Sequence, residues 1–339
     1  MIIASAPRKI ILFGEHAVVY GKIGISAAFD SRIKVSIEEN KNNNIKVNDA
    51  EGLNSFSSNK EEVLNLLLKF HKIYQEKNFS EIKNMSFTDA LKIVIAETFN
   101  KYNTWKNVNI YWPKRNAIKG TGTSAALWAA TSAAIISFIE KTIDKKIINE
   151  IAYLGDVIAH AGTPSGIDNS TVTYGGYLTY TKANGPQPLP INFKLPIVII
   201  DSGEVKMNTA QTVSYVREQY EKKHDFVENI LNNLNEISYQ AIEAIKDKKI
   251  KNIGILMNEY YKELSKLNIS TKRLDEIIKI GIENDVLGIK PTGGWGGGIC
   301  IALAENEEHA NELIKIFEKN NFHAFLTKLG VEGVKIEGE

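Results

Sequence analysis

Lys119, Gly120, Thr121, Gly122, Thr123, Ser124 and Ala125 lead into residues 127–139, a stretch without one charged side chain. A helix with no polar face must be enclosed, so this stretch demands structural layers on more than one side. The glycines ahead of it add chemistry. A helix N-terminus presents unpaired N–H groups and a partial positive charge, and it attracts anions. Gly120 and Gly122 allow close backbone approach, while the hydroxyls of Thr123 and Ser124 suit phosphate or Mg²⁺. A tight strand-to-helix turn capped by Ser or Thr has the same signature. The order Gly-Lys-Ser/Thr of a Walker A loop is absent.

The chain has 339 residues, enough for two domains, and 43% of them are hydrophobic. No apolar run reads as the ~18–20 residues of a membrane span. Residues 1–7 are followed by Arg8 and Lys9, so no uninterrupted leader is read and a cytoplasmic location is expected. Lys and Arg total 41 against 40 Asp and Glu, which leaves no electrostatic footprint for nucleic acid or an anionic membrane. The single cysteine, Cys300, lies in an Ile-Cys-Ile run and reads as a core residue.

Pattern and punctuation predict strands at 9–13, 32–38 and 108–112 and helices at 61–77, 87–102, 127–139 and 147–161. A strand broken by Gly175 and Gly176 is expected over 171–180. The Pro/Gly/Asn-rich stretch 182–190 reads as a domain boundary, dividing the chain into 1–185 and 186–339. Beyond it, strands at 196–201, 288–291, 299–303 and 322–328 alternate with helices at 209–247, 250–264, 271–284 and 307–319, an α+β layer.

Three further motifs carry chemistry. Lys9 sits beside an apolar strand that ends at Gly14, Glu15 and His16, where a carboxylate and an imidazole meet an element terminus. Residues 160–169, His-Ala-Gly-Thr-Pro-Ser-Gly-Ile-Asp-Asn, bring Asp168 in after a turn, with Asp156 and His160 one helical turn apart. Asp168 suits orienting or deprotonating a hydroxyl, although an Asp-Asn pair also begins many turns. In the fourth motif, Gly293, Gly294, Gly296, Gly297 and Gly298 surround Trp295. Their conformational cost suggests a loop that presses its amides against a ligand.

In these four motifs the chain resembles the galactokinase–homoserine kinase–mevalonate kinase–phosphomevalonate kinase (GHMP) superfamily. The likeness spans nearly the whole length, and residues 14–21 and 162–176 are most similar to mevalonate kinases. The resemblance implies two α+β domains, an N-terminal one like ribosomal protein S5 domain 2 and a ferredoxin-like C-terminal one, with the active site between them. It implies ATP and Mg²⁺ as cofactors and mevalonate as the substrate, phosphorylated on its C5 hydroxyl. Lys9 and Asp168 would be catalytic, and Glu15 and His16 would hold the substrate. Residues 119–125 would wrap the triphosphate, with Gly293 and Gly294 closing over it. Ser124 and Asp156 would bind the metal.

Several departures from the family pattern stand out. Thr121 and Thr123 replace a Leu and a Ser and leave the phosphate site intact in outline, while Arg8 in place of a Gly and Trp295 within the glycine run are each able to narrow the site or change nucleotide or acceptor preference. Asp156 takes the place of the second metal ligand only if Ala161 is an insertion; otherwise Val157 stands there. Arg8, Lys114, Arg115 and Lys119 keep a phosphorylated acceptor, as in phosphomevalonate kinase, open as an alternative. A catalytically silent regulator on the same fold is the alternative of another class. A homodimer is also left open.

Overall fold

The computed structural model describes residues 1–112, 114 and 118–338. A first sheet is built from β1 (Ile2–Phe13), β2 (Gly24–Glu39), β3 (Ile45–Asp49), β4 (Phe56–Ser58), β5 (Val108–Trp112), β6 (Tyr177–Thr181) and β7 (Gly185–Pro188). A second holds β8 (Ile197–Val205), β9 (Gly288–Thr292), β10 (Gly297–Leu303) and β11 (His323–Leu326), and the C-terminal β12 (Lys335–Ile336) returns to the first. The helices are α1 (Lys60–Gln75), α2 (Phe79–Ile82), α3 (Phe87–Lys101), α4 (Thr123–Glu140), α5 (Lys145–Ala159) and α6 (Ile167–Tyr174), followed by α7 (Thr209–Lys222), α8 (His224–Lys246), α9 (Ile250–Ser265), α10 (Lys272–Glu283) and α11 (Glu307–Lys319).

One face of the first sheet, with Ala4, Ala6, Val35 and Ile37, packs on α1, α3, α4 and α5 in a single apolar cluster. Helix α4 lies at its centre. It has the length and composition of a membrane span, but 72% of it is buried inside the protein, so it is a core helix. A capping box at Ser86 and Asp89 starts α3.

The second sheet runs β11-β8-β10-β9, all antiparallel. Numbered within the sheet, that order is 4-1-3-2 on a strand–helices–strand–strand–helix–strand chain, the ferredoxin-like arrangement. Its strands are buried on both faces. Ile197 and Ile199 point towards α8, α9 and the first sheet, while Val198 and Ile200 point towards α10 and α11. Two-sided burial explains the continuous apolar run. Cys300 is fully buried in the latter cluster.

Three expectations are corrected. Of residues 171–180, expected as a strand, 171–174 instead close α6 (Ile167–Tyr174), and only 177–180 lie in a strand. Gly166, in the left-handed conformation, starts the turn, and burial of Ile167, Val172 and Thr173 outweighs their strand preference. The stretch 209–247 is two helices, parted at Lys223. The break expected at 185/186 falls inside the β6–β7 hairpin, whose strands pair Leu178 with Pro188. The chain leaves the first sheet only after Pro188, and residues 335–336 rejoin it beside Ala4 and Ser5.

Candidate active site

Strand β1 carries the first functional side chain. Its register on β2 shifts between Pro7 and Arg8, and such a bulge re-aims the residues after it. Short β12 covers only Ala4 and Ser5, leaving the far end of that edge unpaired by a strand. Thr121 and Thr292, at the end of β9, supply the partners instead. Lys9 N–H donates to the Thr121 carbonyl at 2.9 Å. The Thr292 hydroxyl accepts from Ile11 N–H at 3.0 Å and donates to Ile11 C=O at 2.8 Å. These bonds to the β1 backbone set three of the motifs against one strand.

The side chain of Lys9, 3% exposed, then reaches Asp168 Oδ1 at 2.9 Å. It passes beneath Gly122, where a Cβ would stand 2.8 Å from Lys9 Cγ and 2.9 Å from Cε. Gly122 is also at φ 70°, so both its conformation and its neighbour call for glycine. It precedes α4, whose first turn has no side-chain cap. Gly166 plays the same part for α6, again without a side-chain cap at the N-cap, and Asp168 stands in that first turn. Two helix N-termini therefore open on one cleft, and each favours negative charge.

The cleft has a volume of about 520 Å³ and lies between the two sheets. Lys9, Ser124, Asp156 and Asp168 line it, as do Lys119, Gly120, Gly122, Thr123, Ala125, His16 and residues 293–298. Thr121 does not; its hydroxyl turns inward and donates to Ile118 C=O at 2.6 Å. Arg8 is buried and donates to Ser31 Oγ at 2.6 Å, away from the cleft. Arg115 lies outside the described residues.

Asp156 lines the cleft while Val157 belongs to the core, so of the two alternatives it is the carboxylate that borders the cavity. Asp156 is 1% exposed, and among the described residues neither carboxylate oxygen has a hydrogen-bond partner. Burial first and the neighbouring Asp168 second push its pKa well above the usual carboxylate range, against the pull of Lys9. The Trp128 indole and the Asn169 backbone also favour the charge, but neither reaches hydrogen-bond geometry. A buried carboxylate with both oxygens unpartnered among the described residues, lining the same cleft as the Ser124 hydroxyl in the first turn of α4, fits a hard divalent cation. His160 is turned to its own helix, Nδ1 lying 3.0 Å from the Asp156 carbonyl.

Glu15 and His16 part company. Both residues border the cleft, but the Glu15 carboxylate is fully buried against Lys290 of β9 and is engaged there rather than open to the cavity. His16 sits at φ 61°, with Nε2 3.2 Å from Gly294 C=O. A carbonyl only accepts, so Nε2 carries the proton and Nδ1 is left as an acceptor. Burial drives the His16 pKa down to about 4, and the imidazole is neutral. Lys290 was not among the residues singled out from sequence; a lysine inside an apolar strand was its only signal. Arg217 of α7 was missed too. It donates to Thr163 Oγ1 at 2.6 Å, tying the second domain to the turn before α6.

Known proteins resemble this chain along its whole length. Residues 89–176 match the GHMP kinases N terminal domain and residues 241–324 the GHMP kinases C terminal model. The chain is 31% identical over 343 residues to the mevalonate kinase of Thermococcus sibiricus, covering 99% of this chain and 98% of the relative. With that of Pyrococcus furiosus it shares 32% over 351 residues, at the same coverage. The crystal structure of the Methanococcus jannaschii mevalonate kinase superposes with a TM-score of 0.80 at 28% identity, over 96% of this chain and 98% of that one. Matched in both halves and along its whole length, the chain belongs to the GHMP kinase family.

Proposed function

We propose that the chain transfers the γ-phosphoryl group of ATP to the C5 hydroxyl of mevalonate. The observation that carries this reading is the Lys9–Asp168 pair at 2.9 Å, set between two helix N-termini that lack side-chain caps. The acceptor is taken from the full-length relatives, which are mevalonate kinases.

The triphosphate lies along residues 119–125, where the α4 amides and Lys119 meet its oxygens. Ser124 and Asp156 would hold Mg²⁺, which would supply positive charge against the phosphates. Asp168 accepts the hydrogen bond of the C5 hydroxyl and is the acceptor for its proton. The Lys9 ammonium stabilises the oxygen as that proton leaves. The oxygen then bonds to the γ-phosphorus while the bond to the β,γ-bridging oxygen breaks, and ADP departs. Such transfers depend chiefly on positioning and charge stabilisation. His16, neutral and held by Gly294, borders the acceptor end of the cleft.

A phosphorylated acceptor would need further cations within the cleft. Arg8, the nearest candidate in sequence, is engaged elsewhere, which favours the unphosphorylated alcohol. Mevalonate-dependent release of ADP from Mg·ATP tests the reading; release that instead requires phosphomevalonate overturns the choice of acceptor.

A further inference from the structure

Residues 293–298 hold five glycines and one other residue, Trp295. Five glycines in six positions would ordinarily sample many conformations. Here the one side chain faces inward. Its ring is 0% exposed, joins the apolar cluster between the sheets, and stacks on Tyr261 of α9 at 5.8 Å and 29°. To reach that seat the backbone adopts φ 65°, which a bulky residue takes up only where its surroundings enforce it. The expectation that Trp295 narrows the cleft is therefore replaced. The ring lies under the loop.

The peptides on either side are also held. Gly294 C=O accepts from His16, and Gly296 C=O accepts from Lys206 N–H at 2.9 Å and Met207 N–H at 3.0 Å. Gly293 and Gly298 then lie against the backbone of Gly120 and Lys119, where a Cβ would come within 3.3 and 3.2 Å of the two carbonyl oxygens.

We propose that Trp295 is the positioning residue of this loop, its buried ring fixing residues 293–298 against residues 119–120 before nucleotide arrives. The loop is a preset wall of the phosphate site, with no closure left to be driven by binding. This role rests on the phosphoryl-transfer reading only for its kinetic consequence, because the loop's order is measurable without turnover.

The test is amide hydrogen exchange over residues 293–298 in the ligand-free full-length protein, beside KM for ATP and kcat. In Trp295→Ala the loop amides exchange at least about tenfold faster while those of α4 are unchanged. KM for ATP rises about tenfold with kcat within about threefold, and Trp295→Phe restores both. A purely structural role would lower the active fraction and leave KM alone. If Trp295→Ala does not fold, Tyr261→Ala removes the stacking partner from a half-buried position and gives the same changes at smaller size. A folded variant with wild-type loop exchange overturns the proposal. Absence of wild-type turnover would instead overturn the functional reading and leave the exchange comparison standing.

Discussion

Lys290, in the middle of β9, places its ammonium on the carboxylate of Glu15 at the end of β1, and both side chains are completely buried. Burial alone would neutralise each, raising the Glu15 pKa and lowering that of Lys290, and each charge is held chiefly by the other. The Tyr260 ring lies 5.2 Å from the ammonium, and its hydroxyl accepts from Gly14 N–H at 3.0 Å and donates to Glu15 C=O at 2.9 Å. The turn that orients His16 is thus fastened to the second domain.

Lys290→Met strands a buried carboxylate and should cost about 3–5 kcal/mol of stability. The double variant Glu15→Leu/Lys290→Met should recover most of that loss, because no charge is left unpaired. Urea unfolding of both variants checks this. Equal loss in the single and double variants would mean that the pair's charge is not what the fold depends on.

Lys9→Ala and Asp168→Ala should each lower kcat by at least about 10²-fold while Mg·ATP affinity changes little, since both groups act on the reacting oxygen. Calorimetric titration with a non-hydrolysable ATP analogue, beside steady-state turnover, separates binding from chemistry. Unchanged turnover in either variant refutes the role given to that residue.

Gly122→Ala tests the approach of the phosphate loop to Lys9. The new Cβ would lie 2.8 Å from Lys9 Cγ at a backbone φ of 70°. The left-handed conformation costs roughly 1–2 kcal/mol. The displaced ammonium should cost turnover more than about tenfold, well beyond what reduced stability explains at 25 °C. The change should appear in kcat with the protein still folded by circular dichroism.

Acid should act through His16. Its pKa is lowered from 6.5 to about 4 in the folded protein, so between those values the unfolded chain binds the proton and the folded one does not. Stability therefore falls as pH drops through that window, by about 3 kcal/mol once pH is below 4. His16→Asn lacks this contribution. Unfolding free energies at pH 7, 5.5 and 4.5 should show the wild type losing stability relative to the variant, and parallel curves would contradict the buried neutral imidazole.

Much of this site was legible in sequence because its chemistry is local. Gly122, Ser124, Lys9 and Asp168 each belong to a short motif whose residue types state what they can bind. What escaped depends on contacts distant along the chain. Residues 171–173, Thr-Val-Thr, favour a strand locally. They became helix because Thr171 donates back to Ile167 C=O at 2.6 Å and meets Ser26 at 2.6 Å, inside a tightly filled layer. Glu15 carries the same letter whether it faces a substrate or Lys290, 275 positions away. The direction of Trp295 likewise depends on Tyr261 and the α9 surface.

The central claim is tested most directly by incubating the purified protein with Mg·ATP, with and without mevalonate, and locating the phosphate by phosphorus and carbon NMR. The account predicts ADP release that depends on mevalonate, with the new phosphate ester on C5. No stimulation by mevalonate, or an ester at another oxygen, would contradict it.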